Sequence, residues 1–382
     1  MDGMKWKRIA VGFLICILMI SYPTQLAYAQ GPGVSAKAAI VYCADNGKVL
    51  FAKNEAEKLS MASTTKIMTA MLTLEAAQAD NREVTITQEM VAVEGSSMGL
   101  KPGNVVTLET LARGMLLSSG NDAANAAALT LAGSQEEFAA MMNEKAAQIG
   151  MTNTHFVTPS GLDDDDHYTT AYDMALLAAY AMEFPIFQEI ASQRSMQVEF
   201  INPPMKVTLS NHNRLLSMYE GCIGVKTGFT KKSGRCLVSC AERDGVRLIA
   251  VTLNAPDDWN DHQNMLNYGF SQVKSVTLDN TMETLSLPLV GGVSQEVAVS
   301  GSTVEKVTVG IHDVDRIQKV IELPRFAYAP VRDGQLVGKV RYLLDGEEIA
   351  SSGLMVQQDV EALPHNPSLW EKIKDFFWGL FH

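Results

Sequence analysis

None of the five cysteines in this 382-residue sequence stands in a Cys-x-x-Cys spacing, so neither a zinc ribbon nor a thioredoxin-type redox pair is indicated. Positive charge is in deficit. Against 43 Asp and Glu there are 31 Lys and Arg, a formal charge of −12, which argues against a protein that tracks nucleic-acid phosphates. Long apolar runs are missing too: the longest, Ile9 to Ile20, falls short of the roughly 20 residues that span a bilayer. The seven histidines show no pairing that suggests a metal site or a triad. Asp163 to Asp166 lack any accompanying calcium-ligand pattern and read as a solvated loop. No internal repeat or low-complexity tract is evident.

What is present begins at the ends of the chain. Lys5, Lys7 and Arg8 precede the apolar run, and Ala27-Tyr28-Ala29 closes the polar stretch after it. A positive start, an apolar middle and small residues at −3 and −1 predict a secretory signal peptide over residues 1–29, with cleavage after Ala29. Cys16 follows the bulky Ile15 and is not a lipoprotein site. Removing the leader leaves Cys43, Cys222, Cys236 and Cys240. Cys236 and Cys240 lie about 13 Å apart along a strand, too far to bond each other. Buried thiols are expected, with a cross-strand bridge left open.

The length suits two domains at about 150 residues each. Ala36 to Ala44 reads as a strand, Asp45-Asn46-Gly47 as a turn and Val49 to Lys53 as the partner strand. Residues 63–79 are strongly helical. Leu108 to Leu117 forms a second helix, broken at Ser118-Ser119-Gly120, and Asp122 to Leu131 a third. Ser134 with Glu137 opens another helix that Gly150 closes, and Thr170 with Asp173 opens one more, Asp173 being read as a capping residue. Strands return with Ile223 to Phe229, Arg235 to Glu242 and Val246 to Asn254. A helical middle bracketed by strands predicts an α+β fold, one antiparallel sheet assembled from both ends of a domain. From residue 276 to 362 helical periodicity vanishes, and alternating runs divided by Asp333-Gly334 and Asp345-Gly346 predict a small all-β domain. The expected division is therefore 1–29 leader, 30–275 catalytic domain, 276–364 all-β domain and 365–382 tail.

Three short motifs carry chemistry. Ser63-Thr64-Thr65-Lys66 is a Ser-x-x-Lys whose helical spacing puts hydroxyl and amine on one face. A desolvated lysine there can act as the base that activates the serine. Taken alone the motif is weak, because Ser271-Gln272-Val273-Lys274 matches it by chance and Ser63 also reads as a helix N-cap. Lys226-Thr227-Gly228 sits in a strand-like apolar stretch, where Gly228 would let a substrate approach the backbone and Lys226 with Thr227 would grip a carboxylate. Its bland alternative is a solvated lysine on an edge strand. Ser119-Gly120-Asn121 lies at the break between two helices and otherwise reads as a capping loop.

In this order the motifs resemble those of the penicillin-recognising serine hydrolases. The wording around them is similar to that of low-molecular-mass penicillin-binding proteins of the D-alanyl-D-alanine carboxypeptidase type. It includes Leu117-Ser118-Ser119-Gly120-Asn121-Asp122-Ala123, Thr158-Pro159-Ser160-Gly161-Leu162 and His167-Tyr168-Thr169-Thr170-Ala171-Tyr172-Asp173. The resemblance implies the β-lactamase and penicillin-binding-protein transpeptidase fold, an antiparallel sheet with a helical subdomain. It also implies a serine carboxypeptidase acting on peptidoglycan stem peptides that end in D-Ala-D-Ala, acylated by β-lactam antibiotics. Ser63 is then the nucleophile, Lys66 the base, and Ser119 with Asn121 the relay and amide-orienting pair. Lys226 and Thr227 hold the terminal carboxylate with help from Arg214, and the backbone N–H groups of Ser63 and Phe229 form the oxyanion hole. No metal or organic cofactor is implied.

Residues 369–381, LWEKIKDFFWGLF, place Leu369, Trp370, Ile373, Phe376, Phe377, Leu380 and Phe381 within an arc of about 140°. Glu371 and Asp375 lie opposite, and Lys372 and Lys374 flank the edges. Such a helix is expected to lie in the interface on the outer face of the cytoplasmic membrane, anchoring an exported protein through residues 368–382. A class A β-lactamase is the nearest competing enzyme, but residues 160–190 hold no clear Glu-x-x-x-Asn element. Endopeptidase action on cross-links would use the same site. An inert cell-wall-binding protein would not need Ser63, Lys66 and Lys226 intact.

Overall fold

A computed structural model describes residues 31–281, 284–301, 304–364 and 368–381. The expected leader, with Cys16 and the cleavage point after Ala29, lies outside these residues. Strands β1 (Ala38–Cys43) and β2 (Val49–Lys53) form a hairpin. The helical middle follows: α1 (Lys66–Ala79), α2 (Leu108–Leu117), α3 (Asn121–Ala132), α4 (Gln135–Ile149), α5 (Ala171–Met182) and α6 (Pro185–Ser192). Strands β3 (Cys222–Thr230), β4 (Gly234–Arg243) and β5 (Val246–Leu253) then complete an antiparallel sheet in the order β2-β1-β5-β4-β3. The hairpin from the start of the domain thus pairs with the last strand, because β5 is buried on both faces and needs a partner at each edge.

Side-chain alternation distributes the core over both faces of this sheet. Ile40, Val238 and Val251 point into the large cluster built with α1, α2 and α5, while Val41, Leu237 and Ala250 face α7 (Asp258–Gln272). Two expected boundaries shift slightly. The 63–79 helix begins as a tight 3₁₀ turn, Ala62–Thr65, before α1, and α3 starts at Asn121 rather than Asp122. Ser63 makes no capping bond. Ser134 and Thr170 do cap, accepting from the backbone N–H groups of Glu137 and Asp173. The Asp173 carboxylate instead accepts from the Asn153 N–H and the Thr154 hydroxyl, tying the 153–154 loop to α5.

The chance Ser271–Lys274 match falls where α7 gives way, at Val273, to β6 (Val273–Asp279). Beyond it β7 (Thr284–Val290), β8 (Glu296–Gly301), β9 (Val304–Gly310), β10 (Gln318–Glu322), β11 (Ala327–Tyr328), β12 (Leu336–Leu344) and β13 (Glu347–Val356) follow. A six-stranded sheet runs β10-β12-β13-β8-β7-β11, with β6 and β9 paired separately, around its own core of Leu287, Val299, Val340 and Val356. At the Asp345-Gly346 turn both φ angles are positive, as a tight hairpin requires. The tail forms α8 (Leu369–Phe381); the side chains of Phe377, Leu380 and Phe381 lie outside the described residues. Among the described residues no single helix is long and apolar enough to cross a membrane. Cys43, Cys236 and Cys240 are buried and Cys222 half-buried, all as free thiols.

Candidate active site

Ser63 sits in the Ala62–Thr65 turn, entered through Ala62 at a φ of 47°. A left-handed backbone at a residue with a Cβ costs about 1–2 kcal/mol, so the surroundings must hold it. They do: the Thr64 and Thr65 hydroxyls donate back to the Met61 and Ala62 carbonyls at 2.6 and 2.8 Å. One turn on, Lys66 is fully buried with its Nζ 3.0 Å from Ser63 Oγ. The amine also donates to the Ser160 carbonyl at 2.6 Å. Desolvation holds the Lys66 pKa well below the ordinary lysine value, the positive charge of Lys226 pushes the same way, and Asp122 opposes.

Lys226 is 1% exposed, which removes the solvated edge-lysine reading. Its Nζ donates to Ser119 Oγ at 3.1 Å and to the Thr227 carbonyl at 2.8 Å, and burial lowers its pKa to about 7. Ser119 occupies the break between α2 and α3 at a φ of 57°, buried and aimed at that lysine. Asn121 opens α3. Its Nδ2 donates to the Glu94 carbonyl at 2.6 Å, whereas its buried Oδ1 has no partner among the described residues. Asp122 clasps the preceding loop, accepting from the Ser97 hydroxyl and from the backbone N–H groups of Met98, Gly99 and Leu100.

Thr227, Gly228 and Phe229 line the same cleft, of about 420 Å³, on β3, the outermost strand of the sheet. Within the protein itself Gly228 also has close neighbours. A Cβ there would stand 3.1 Å from the Met61 carbonyl and from the Ser63 and Thr64 nitrogens. The missing side chain therefore lets β3 press against the Ser63 backbone. Phe229 is 65% exposed at the cleft mouth. Arg214 precedes a single helical turn, Leu215–Met218, and lines the cleft with its guanidinium 5.8 Å from the Trp259 ring.

Several groups here were not foreseen. Arg235 bonds Asp258 at 2.8 Å and lies 5.5 Å from the same Trp259 ring, and both line the cleft with Ser96 and His212. The signal for Arg235 was the short hairpin turn: β4 places it directly opposite Phe229. Burial and the charge of Lys226 lower the His212 pKa. Ser160 acts through a backbone carbonyl, which no side-chain motif reveals. His167 supports that loop. Its Nδ1 accepts from the Val157 and Thr158 N–H groups, so Nε2 carries the proton donated to Thr65 Oγ1 at 2.8 Å. Burial brings its pKa down to about 4 and keeps the ring neutral. Among the described residues no three His, Cys, Asp or Glu side chains gather as a metal would need.

A serine hydroxyl beside a desolvated amine, a second buried lysine bonded to Ser119, an orphan amide oxygen and a strand at the edge of the sheet together suit acyl transfer on an extended peptide. The family of D-alanyl-D-alanine carboxypeptidases matches residues 25–257. The chain belongs to that family. The C-terminal domain of penicillin-binding protein 5 matches residues 270–362. D-alanyl-D-alanine carboxypeptidase DacF of Bacillus subtilis is 32% identical over 372 residues, spanning 93% of this chain and 95% of the relative. The DacC enzyme of Escherichia coli is 34% identical over 388 residues, spanning 96% and 94%. Among solved structures, penicillin binding protein 5 from Haemophilus influenzae superposes with a TM-score of 0.66 at 28% identity, covering 87% of this chain and 99% of that one. The Streptomyces K15 DD-transpeptidase gives 0.60 at 31% identity over 64% of this chain and all of its own. The α+β architecture with its β domain is that of the carboxypeptidase-type penicillin-binding proteins.

Proposed function

We propose that this member of the carboxypeptidase family releases the terminal D-alanine from peptidoglycan stem peptides through an acyl-enzyme on Ser63. The contact between Ser63 Oγ and the fully buried Lys66 amine, whose pKa desolvation lowers, carries the reading. Lys66 takes the hydroxyl proton as Oγ attacks the carbonyl carbon of the penultimate D-alanine. The peptide C–N bond breaks, the proton that Lys66 took passes by way of the Ser119 hydroxyl to the leaving amine, and D-alanine departs. Water then attacks the ester, returning Ser63 and a peptide one residue shorter. The orphan Oδ1 of Asn121 accepts from a substrate amide N–H, and the N–H groups of Ser63 and Phe229 hold the oxyanion. Lys226 and Thr227 bind the substrate carboxylate, with Arg214 on the same wall.

A β-lactam presents the same acyl group without a departing amine, so labelled penicillin acylates Ser63 and stays. Mass spectrometry of the labelled protein, beside D-alanine release from a peptide ending in D-Ala-D-Ala, is the test. Ser63→Ala loses both signals; labelling or release that survives the substitution overturns the assignment. Rapid turnover of penicillin favours a lactamase instead.

The leader over residues 1–29 supports export with cleavage after Ala29. The α8 sequence supports peripheral attachment to the outer face of the cytoplasmic membrane, with Trp370 78% and Phe376 66% exposed.

A further inference from the structure

We propose that the end of the β domain around Tyr328 is a second lipid-contacting surface, seated on the bilayer interface together with α8. The proposal rests on the membrane reading of that helix. Tyr328, on the edge strand β11, is 70% exposed, and its ring packs edge-on against Phe326 at 5.4 Å between centroids. Val290 stands directly opposite Tyr328 across the β7–β11 pair, so the three side chains share one face. Val293 and Leu363, exposed by 62% and 59%, extend the patch. They meet it through the Leu363 N–H, which donates to the Gly291 carbonyl at 2.7 Å, and the Val293 N–H, which donates to the Glu361 carbonyl. Apolar side chains standing singly on a surface are ordinary, but aromatic and branched residues gathered at one sheet corner mark a contact.

Chain length says what covers the patch. Leu363 is pinned to Gly291, and α8 begins at Leu369. Six residues reach at most about 20 Å even when fully extended. With α8 lying in the interface, the corner carrying Tyr328, Val290 and Val293 is therefore held at the membrane, and the rest of the sheet extends away from it. Tyrosine suits that depth, its ring in the acyl boundary and its hydroxyl among headgroups. The nearby Arg332 is ion-paired with Glu361, while Arg325 beside Phe326 is exposed, so zwitterionic vesicles isolate the apolar part of the contact. A single amphipathic segment anchors weakly, and a second apolar contact adds to its hold.

The test compares three processed chains, residues 30–382, 30–367 and 30–382 carrying Phe326→Ser with Tyr328→Ser, for partition onto zwitterionic phosphatidylcholine vesicles. The double variant is expected to bind about tenfold more weakly than the unaltered chain, independently of salt. Labelling of Ser63 by penicillin and the melting temperature stay unchanged, since both rings are exposed. Residues 30–367 are expected to stay in solution; if that chain binds vesicles as the full one does, the helix reading fails and this proposal with it. A nitroxide on Tyr328→Cys reads depth directly: it should become shielded from aqueous relaxant on vesicles, while one on Ile321→Cys, at the opposite sheet edge, should not. If truncation frees the chain but the double variant binds normally and the label at 328 stays in water, this proposal fails and the anchor stands. A vesicle-free dimer of residues 30–367 that the double substitution dissolves would also overturn it, assigning the patch to a second copy.

Discussion

At the scale of single residues the site depends on two lysines that the fold keeps from water. An ordinary lysine near pH 7 is an ammonium and no base; desolvation moves Lys66 toward the neutral amine that its proposed role beside Ser63 requires. Lys226 has the same burial and a pKa near 7, and the carboxylate of a bound peptide would restore its charge. This arrangement is held at a cost in stability. Between about 7 and the ordinary lysine value of about 10.4 the unfolded chain carries a proton on Lys226 that the folded chain does not. Unfolding free energy from this group therefore rises with pH across that window, and below it the full burial penalty applies. Lys226→Met is expected to remove that slope, raising the urea midpoint more at pH 6 than at pH 10 while abolishing D-alanine release. Urea titrations at the two pH values check it, and an equal gain at both would mean that the lysine is not desolvated as described.

At the scale of elements the turn that carries Ser63 is clamped from two sides by glycines. Gly228 lets β3 lie against the Ser63 backbone, and Gly161 lets the 158–162 loop lie against Ala62. Gly161 has a φ of 82°, and a Cβ there would stand 2.0 Å from the Ala62 carbonyl oxygen. Gly161→Ala is thus expected to displace the loop, destabilise the fold by about 2 kcal/mol or more and withdraw the Ser160 carbonyl from Lys66. Acylation by penicillin should slow at least tenfold, read by stopped-flow labelling. A variant that acylates at the unaltered rate would show that Ser160 does not orient the amine. The helices and strands that carry these loops were legible: α2, the break at Ser119, and the strands β3 and β4 follow from apolar period and turn residues. The 3₁₀ turn at Ala62 was not, because left-handed backbone at an alanine is imposed by neighbours distant in sequence.

At the scale of the whole molecule the two folded parts are joined without a flexible linker. Gln272 ends α7 and Val273 begins β6. A second joint comes from the β1–β2 turn. The Asp45 carboxylate accepts from the Thr308 hydroxyl at 2.9 Å and from the Arg247 N–H at 3.0 Å, and Asn46 donates to the Thr308 carbonyl at 2.8 Å. These bonds tie the β1–β2 turn to the β domain, and the Leu363 N–H bonded to the Gly291 carbonyl fixes where the chain leaves that domain toward the tail. Among the described residues none after 367 lines the cleft, so penicillin labelling of residues 30–367 in solution is expected at the rate of the full chain.

The sequence by itself determined the order of elements, the three motifs and the family, since each rests on local period, turn chemistry or short spacing. Only the tertiary structure decided that Lys226 is buried rather than solvated, that Gly228 lies against the Ser63 backbone, that Arg235 and His212 line the cleft, and that the Ser160 carbonyl accepts from Lys66. Those are facts of desolvation and close approach between segments far apart in the chain. No local pattern encodes them, because a residue's solvent and neighbours exist only once the sheet and helices have closed around it.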